Sequence, residues 1–159
     1  MQIEQLYSAY LGELYGIAFF TAFAEKYSDN SHINKWQKLI QIEQITAQRL
    51  KAGLAPFGKD CPDIHPEMEE KGLQDANKWL HLEWTELVNT MTPWVEPYAL
   101  KYREQAQQAQ AHHGLFTLVQ EHEDAIWAFL KAEQQQDTDS LAPLEQFLSR
   151  YSDTTSTSP

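Results

Sequence analysis

The stretch Ile3-Glu4-Gln5-Leu6-Tyr7-Ser8-Ala9-Tyr10-Leu11-Gly12-Glu13-Leu14-Tyr15-Gly16-Ile17-Ala18-Phe19-Phe20-Thr21-Ala22-Phe23-Ala24-Glu25-Lys26 decides the fold. Leu6, Tyr10, Leu14, Ile17, Phe20 and Ala24 recur three and four residues apart, the spacing of one helix face. From Ile17 to Ala24 the helix is apolar on nearly every side, which predicts a place in the middle of a bundle. Phe19, Phe20 and Phe23 add an apolar excess that would also serve a homodimer through this first helix.

Downstream, Ser28-Asp29-Asn30-Ser31 has the side chains of a turn followed by a helix N-cap. A second helix is predicted from about His32 to Lys51, with Trp36, Leu39, Ile40, Ala47 and Leu50 inward and Gly53 as its stop. The two helices form an antiparallel hairpin. Residues 53–66 hold two Gly and three Pro and read as a long connection. A third helical region opens at Pro66, with Glu67, Glu69 and Glu70 against the positive end of the helix dipole, and runs to about Ala111 with interruptions expected at Pro93 and Pro97. A fourth helix follows His112-His113-Gly114 and continues to about Gln136, carrying Leu115, Leu118, Val119, Ile126, Phe129 and Leu130 on one face. Leu141, Leu144, Phe147, Leu148 and Tyr151 predict a short last helix, and Ser152 to Pro159 a loose tail. The expectation is all-α: one domain over 1–151, a four-helix bundle with a long crossover between helices 2 and 3, a short C-terminal helix and a tail at 152–159.

Composition agrees. Six Gly and seven Pro in 159 residues are too few for the turns of an all-β sandwich, and 16 Gln favour helix. The formal charge is −11, and it is uneven: residues 1–60 carry six acids and six bases, so 61–159 hold 17 acids against six bases. Nucleic acid and anionic membranes, both recognised through clustered Lys and Arg, are excluded as expected partners. The longest apolar run, Leu14 to Ala24, has eleven residues and no basic segment before it, so neither a membrane span nor a leader is expected. Cys61 is the sole cysteine, which rules out an intrachain disulfide and a CxxC site and fits a reducing cytoplasm.

Two carboxylates interrupt the apolar faces. Glu13 continues the Leu6, Tyr10, Ile17, Phe20 face, and Glu43 continues Trp36, Leu39, Ile40, Thr46, Ala47. Counted from the turn between Asp29 and Asn30, Glu13 lies 16 residues back and Glu43 13 residues on. At about 1.5 Å per residue they differ in height by roughly 4–5 Å, close enough to share a site. His122 lies on the Leu115, Val119, Ile126, Phe129 face of the fourth helix, with Glu123 beside it as an alternative inward group. Buried carboxylates need a partner. Either Glu13 and Glu43 turn toward a solvated seam or bond each other and Thr46 or Tyr10 with one of them protonated, His122 being a core histidine that donates to a buried carboxylate, or a metal ion joins them to His122.

This set resembles the ferritin-like superfamily, whose di-iron members use a lone Glu on each of two helices and a Glu-x-x-His pair on the other two. Glu13 matches the lone glutamate of the first helix. Glu43-Gln44-Ile45-Thr46 keeps the glutamate of the second-helix pair and has threonine in place of histidine. Val119-Gln120-Glu121-His122 keeps the histidine of the fourth-helix pair and has valine in place of glutamate. Glu83 would be the third-helix ligand, but it falls about 20 residues, roughly 30 Å of straight helix, from the level of His122, so only a break at Pro93 and Pro97 would bring it there.

The resemblance implies a ferritin-like bundle with a degenerate di-iron site, serving as a small-ligand or protein-binding module. The alternative it implies is an oxidoreductase in which Glu13, Glu43 and His122, with Glu83 or Glu123 as weaker candidates, hold iron or manganese. Trp79, Trp84, Trp94, Tyr98 and Tyr102 fall at near-helical spacing and would either fill the core or line a ligand pocket. His112 and His113 point about 100° apart on a helix and read as a solvated helix start.

Overall fold

A computed structural model describes residues 2–152, which form six α-helices joined by turns. They are α1 (Gln2–Lys26), α2 (Ile33–Leu54), α3 (Pro66–Asn77), α4 (Trp84–Gln108), α5 (His113–Gln134) and α6 (Ala142–Ser152). Among the described residues there is no strand, and no helix is long and apolar enough to cross a membrane. Of the expected tail, Ser152 closes α6, and 153–159 lie outside the described residues.

The α1–α2 hairpin forms as its turn chemistry dictates, with the Asp29 carboxylate accepting from the Ser31 amide at 3.0 Å to cap a single 3-10 turn before α2. α4 and α5 make a second hairpin, α5 packs on α2, and α6 lies across α2 and α5. α3 is applied to the outer side of α1. Gly72 permits this: a Cβ there would stand 2.4 Å from the Tyr15 carbonyl oxygen, so any side chain would push the two helices apart. This double cover explains why α1 buries so much of its circumference. Phe19, Phe20 and Phe23 are at most 4% exposed within the chain, so this apolar excess is taken up by the chain's own core. On α2, Ile42 rather than Ile40 takes the fully buried position.

The third helical region breaks elsewhere than its sequence predicts. Pro93 and Pro97 both lie inside α4. They and Asn89, four residues before Pro93, are exposed, so the helix carbonyls that lose a donor face water. The interruption falls at Lys78–Glu83, where no Gly or Pro occurs. Tertiary contacts supply it. The Tyr27 hydroxyl donates to the Leu82 carbonyl at 2.8 Å, and the Trp79 ring docks edge-on against Trp94 and Phe19, 5.1 and 6.0 Å between centroids. The connection after α2 is likewise pinned: the Tyr10 hydroxyl donates to the Pro62 carbonyl at 2.6 Å, and Cys61 beside it is buried, which raises its thiol pKa and leaves it protonated at neutral pH.

Glu133 near the end of α5 ties three elements together. Its carboxylate accepts from Trp84 Nε1 at 2.9 Å, pairs with Lys35 Nζ at 2.9 Å and accepts from the Ser140 hydroxyl. Burial alone would raise its pKa, but the bonds from Ser140, Lys35 and Trp84 outweigh that and hold it below the usual glutamate value. A depressed carboxylate adds stability above its unfolded pKa and loses it as pH falls through the folded one. Glu133→Ala is therefore expected to lower unfolding free energy in urea by about 2 kcal/mol at pH 7, and the gap from wild type should close in acid. A gap of equal size at pH 3 and pH 7 would show that packing, not charge, makes the contribution.

Candidate functional site

Glu13 of α1, Glu43 of α2 and His122 of α5 meet in the core, all three no more than 4% exposed. His122 Nε2 stands 3.1 Å from Oε1 of Glu13, 3.1 Å from Oε1 of Glu43 and 3.2 Å from Oε2 of Glu123. One ligand atom from each of Glu13, Glu43 and His122 lies within 4.8 Å of the others. The levels counted from the α1–α2 turn therefore hold, and Glu123 joins the cluster from its rim. Glu83 does not. It is exposed at the N-cap of α4, because the helix runs unbroken through both prolines and carries it away from His122.

The backbone sets the orientation of the imidazole. His122 Nδ1 donates to the Val119 carbonyl at 2.7 Å, so Nε2 is the nitrogen presented to the carboxylates. Val119 thus positions the histidine through its main chain. The Thr46 hydroxyl donates to the Ile42 carbonyl of its own helix at 2.8 Å and adds nothing to the cluster.

Glu43 reaches the centre over a gap in α1. A Cβ on Gly16 would lie 1.6 Å from Glu43 Oε2 and 2.6 Å from its Cδ, so the carboxylate occupies the space a side chain at 16 would fill. Sequence reasoning missed this glycine, although its place one turn after Glu13 was visible. Tyr102, one of the aromatic residues read from the sequence as core or pocket wall, stands beside the cluster, its ring centroid 6.4 Å from that of His122.

Electrostatics here are dominated by burial. Removal from water raises the Glu13 pKa, with His122 pulling in the opposite direction. Glu43 is pushed up to about 8 by burial and by the Glu13 charge, and Glu123 to about 7 by burial, with Glu43 adding to it. Burial alone would lower His122, but Glu13 and Glu123 overcome it and raise its pKa well above the usual histidine range. Burial raises the Tyr102 phenol too, helped by the neighbouring Glu123, Glu13 and Glu43. Even so, Oε1 of Glu13 and Oε1 of Glu43 are both buried without a hydrogen bond. The ring N–H cannot align with two acceptors at once, and each unsatisfied oxygen carries a desolvation cost.

A cavity of about 240 Å³ opens from this cluster to the surface, lined by residues of α1, α3 and α4 with Glu43, His122 and Glu123 at its floor. It exists because, among the described residues, α1 and α4 bring no Cα atoms within 8 Å of each other. Of the aromatic series, Trp94, Tyr98 and Tyr102 line the cavity, while Trp79 and Trp84 pack elsewhere, Trp84 stacked on the His32 ring at 3.5 Å. His112 lies before α5 in the left-handed region, outside the site.

Compared with profiles of protein families, with curated proteins and with solved structures, the chain matches none.

Proposed function

We propose that the chain is a ferritin-like helical bundle in which the two-metal site has contracted to a single one, with Glu13, Glu43 and His122 holding iron or manganese and the cavity admitting a small molecule to it. α1, α2, α4 and α5 correspond to the four bundle helices, and the segment carrying α3 to the crossover. The observation that carries the metal reading is the pair of unbonded carboxylate oxygens, each 3.1 Å from His122 Nε2. Two ligands at right angles on an ion about 2.1 Å from each stand roughly 3 Å apart, so the spacing suits one cation. Carboxylates with imidazole suit iron or manganese, and three protein ligands leave positions open. Such an ion would supply Lewis acidity and one-electron chemistry, which a metal-dependent oxidoreductase uses. The protein's part is to fix Nε2 through Val119, to seat Glu43 over Gly16 and to give the ion a lined approach.

A second reading, a metal-free pocket for a small ligand, is favoured by Thr46 and Val119 at two ligand positions of the family. Metal analysis decides between them. Protein purified without chelator and loaded anaerobically with Fe(II) or Mn(II) should retain about one ion per chain after desalting, and Glu13→Ala and His122→Ala should retain none while keeping their helical circular dichroism. Folded wild type that keeps no metal would leave the metal-free pocket as the function.

A further inference from the structure

The mouth of the cavity has the charge opposite to that of the chain. The protein carries a formal −11, and half of its twelve Lys and Arg are closely engaged: Lys35, Lys51, Lys59, Lys78, Arg103 and Arg150 each pair with a carboxylate within 3.0 Å. Lys71 of α3 and Lys101 of α4 both line the cavity, and among the described residues neither makes an ion pair. Of the acids near them, Asp75 is held by the Tyr15 hydroxyl at 2.6 Å and by Lys78 at 3.0 Å, with Lys71 acting on it only at longer range, and Glu4, which shares an adjoining groove with Lys101, pairs with Lys59 at 3.0 Å.

Between mouth and floor the walls are aromatic. The Trp94 ring lies 5.0 Å from that of Phe19, 6.4 Å from Tyr15 and 6.4 Å from Tyr98. Such faces favour a flat apolar body over a hydrated one. At the floor lie Glu13 and Glu43, with Glu123 beside them. A ligand entering this space therefore meets two cations first, then rings, then carboxylates.

We infer that the cavity takes a small aromatic carboxylate, its ring against Trp94, its carboxylate at the mouth between Lys71 and Lys101, and its uncharged end toward Glu13, Glu43 and His122. The inference rests on the proposal that this cluster is the functional centre. The orientation follows from charge: a ligand carboxylate at the floor would face two or three protein carboxylates, whereas at the mouth it meets two ammonium groups that no carboxylate holds, that of Lys101 lying 5.5 Å over the Tyr102 ring. An amine would find the floor attractive and the entrance repulsive, and a neutral compound would gain nothing at the entrance.

Three compounds with one ring system separate these cases: 2-naphthoate, 2-naphthamide and 2-naphthylmethylamine. Each is titrated calorimetrically into the full chain, metal-depleted and Mn(II)-exposed, as wild type and as the Lys71→Gln/Lys101→Gln double variant, with bound Mn(II) read by electron paramagnetic resonance in the same samples. Naphthoate is expected to bind wild type about tenfold more tightly than the amide, and the double variant should erase that preference while still binding the amide. Equal binding of naphthoate and amide, tighter binding of the amine, a preference that survives the double variant, or no saturable binding of any of the three would overturn the inference. Absence of bound Mn(II) would sink the metal centre alone, because the naphthoate preference in metal-depleted protein still upholds or refutes the carboxylate.

Discussion

Gly16→Ala is expected to abolish metal retention and to destabilise the fold by about 2 kcal/mol, although the same change in most helix interiors stabilises by roughly 0.5–1 kcal/mol. The new methyl would fall 1.6 Å from Glu43 Oε2 and 2.6 Å from Cδ, so the carboxylate must leave its seat over α1. Glu43 is 4% exposed with Ile42 and Thr46 buried around it, so no solvated position is open to the displaced group without moving α2. The assignment predicts a change of sign. In a Glu43→Ala background the atoms that clash are gone, and Gly16→Ala should then stabilise, as helix propensity alone dictates. Urea unfolding of the four proteins gives the coupling directly, expected at about 2 kcal/mol. If Gly16→Ala stabilises wild type as well, Glu43 does not sit where the site requires it.

Much of this site was legible because helix geometry is simple. A carboxylate inside an apolar 3.6-residue pattern marks both a face and a level, and counting from Asp29 was enough to pair Glu13 with Glu43. His122 followed from the same periodicity on α5. The break between α3 and α4 was not legible, because Tyr27 and Trp79 impose it from elsewhere in the chain on a segment without Gly or Pro. The prolines misled for a related reason: Pro93 and Pro97 lie on the exposed side of α4, where carbonyls that lose a donor can bond water, and the helix continues through both. Glu83 failed as a ligand with that break. Gly16 and Gly72 went unread because a small residue inside a helix reveals nothing until the neighbour that crosses it is known. Lys71 and Lys101 are 30 residues apart on separate helices, and only the placement of α3 against α1 brings both to the cavity.

Glu43→Gln is expected to make the metal-free protein more stable at pH 8, by on the order of 2 kcal/mol, and to leave it unchanged near pH 4.5. Glu43 ionises in the folded chain only at about 8, because burial and the Glu13 charge oppose its anion, whereas in the unfolded chain it ionises in the ordinary glutamate range. A carboxyl raised in this way contributes fully below its unfolded pKa, and the contribution is lost as pH rises through the folded pKa. Metal-free wild type should therefore weaken between about pH 5 and 8, the opposite of the Glu133 contribution, and His122, raised well above its usual range, adds a loss in the same direction. Glutamine keeps the shape and removes the ionisation, so its stability curve should be flatter over that window. Mn(II) should invert the order at pH 8: wild type gains stability in proportion to RT ln(1 + [Mn]/Kd), while the variant, lacking the anion, does not. A variant less stable than wild type at pH 8 without metal would mean that His122 alone already neutralises Glu43, and the buried cluster would then be a complete ion network with no need of a cation.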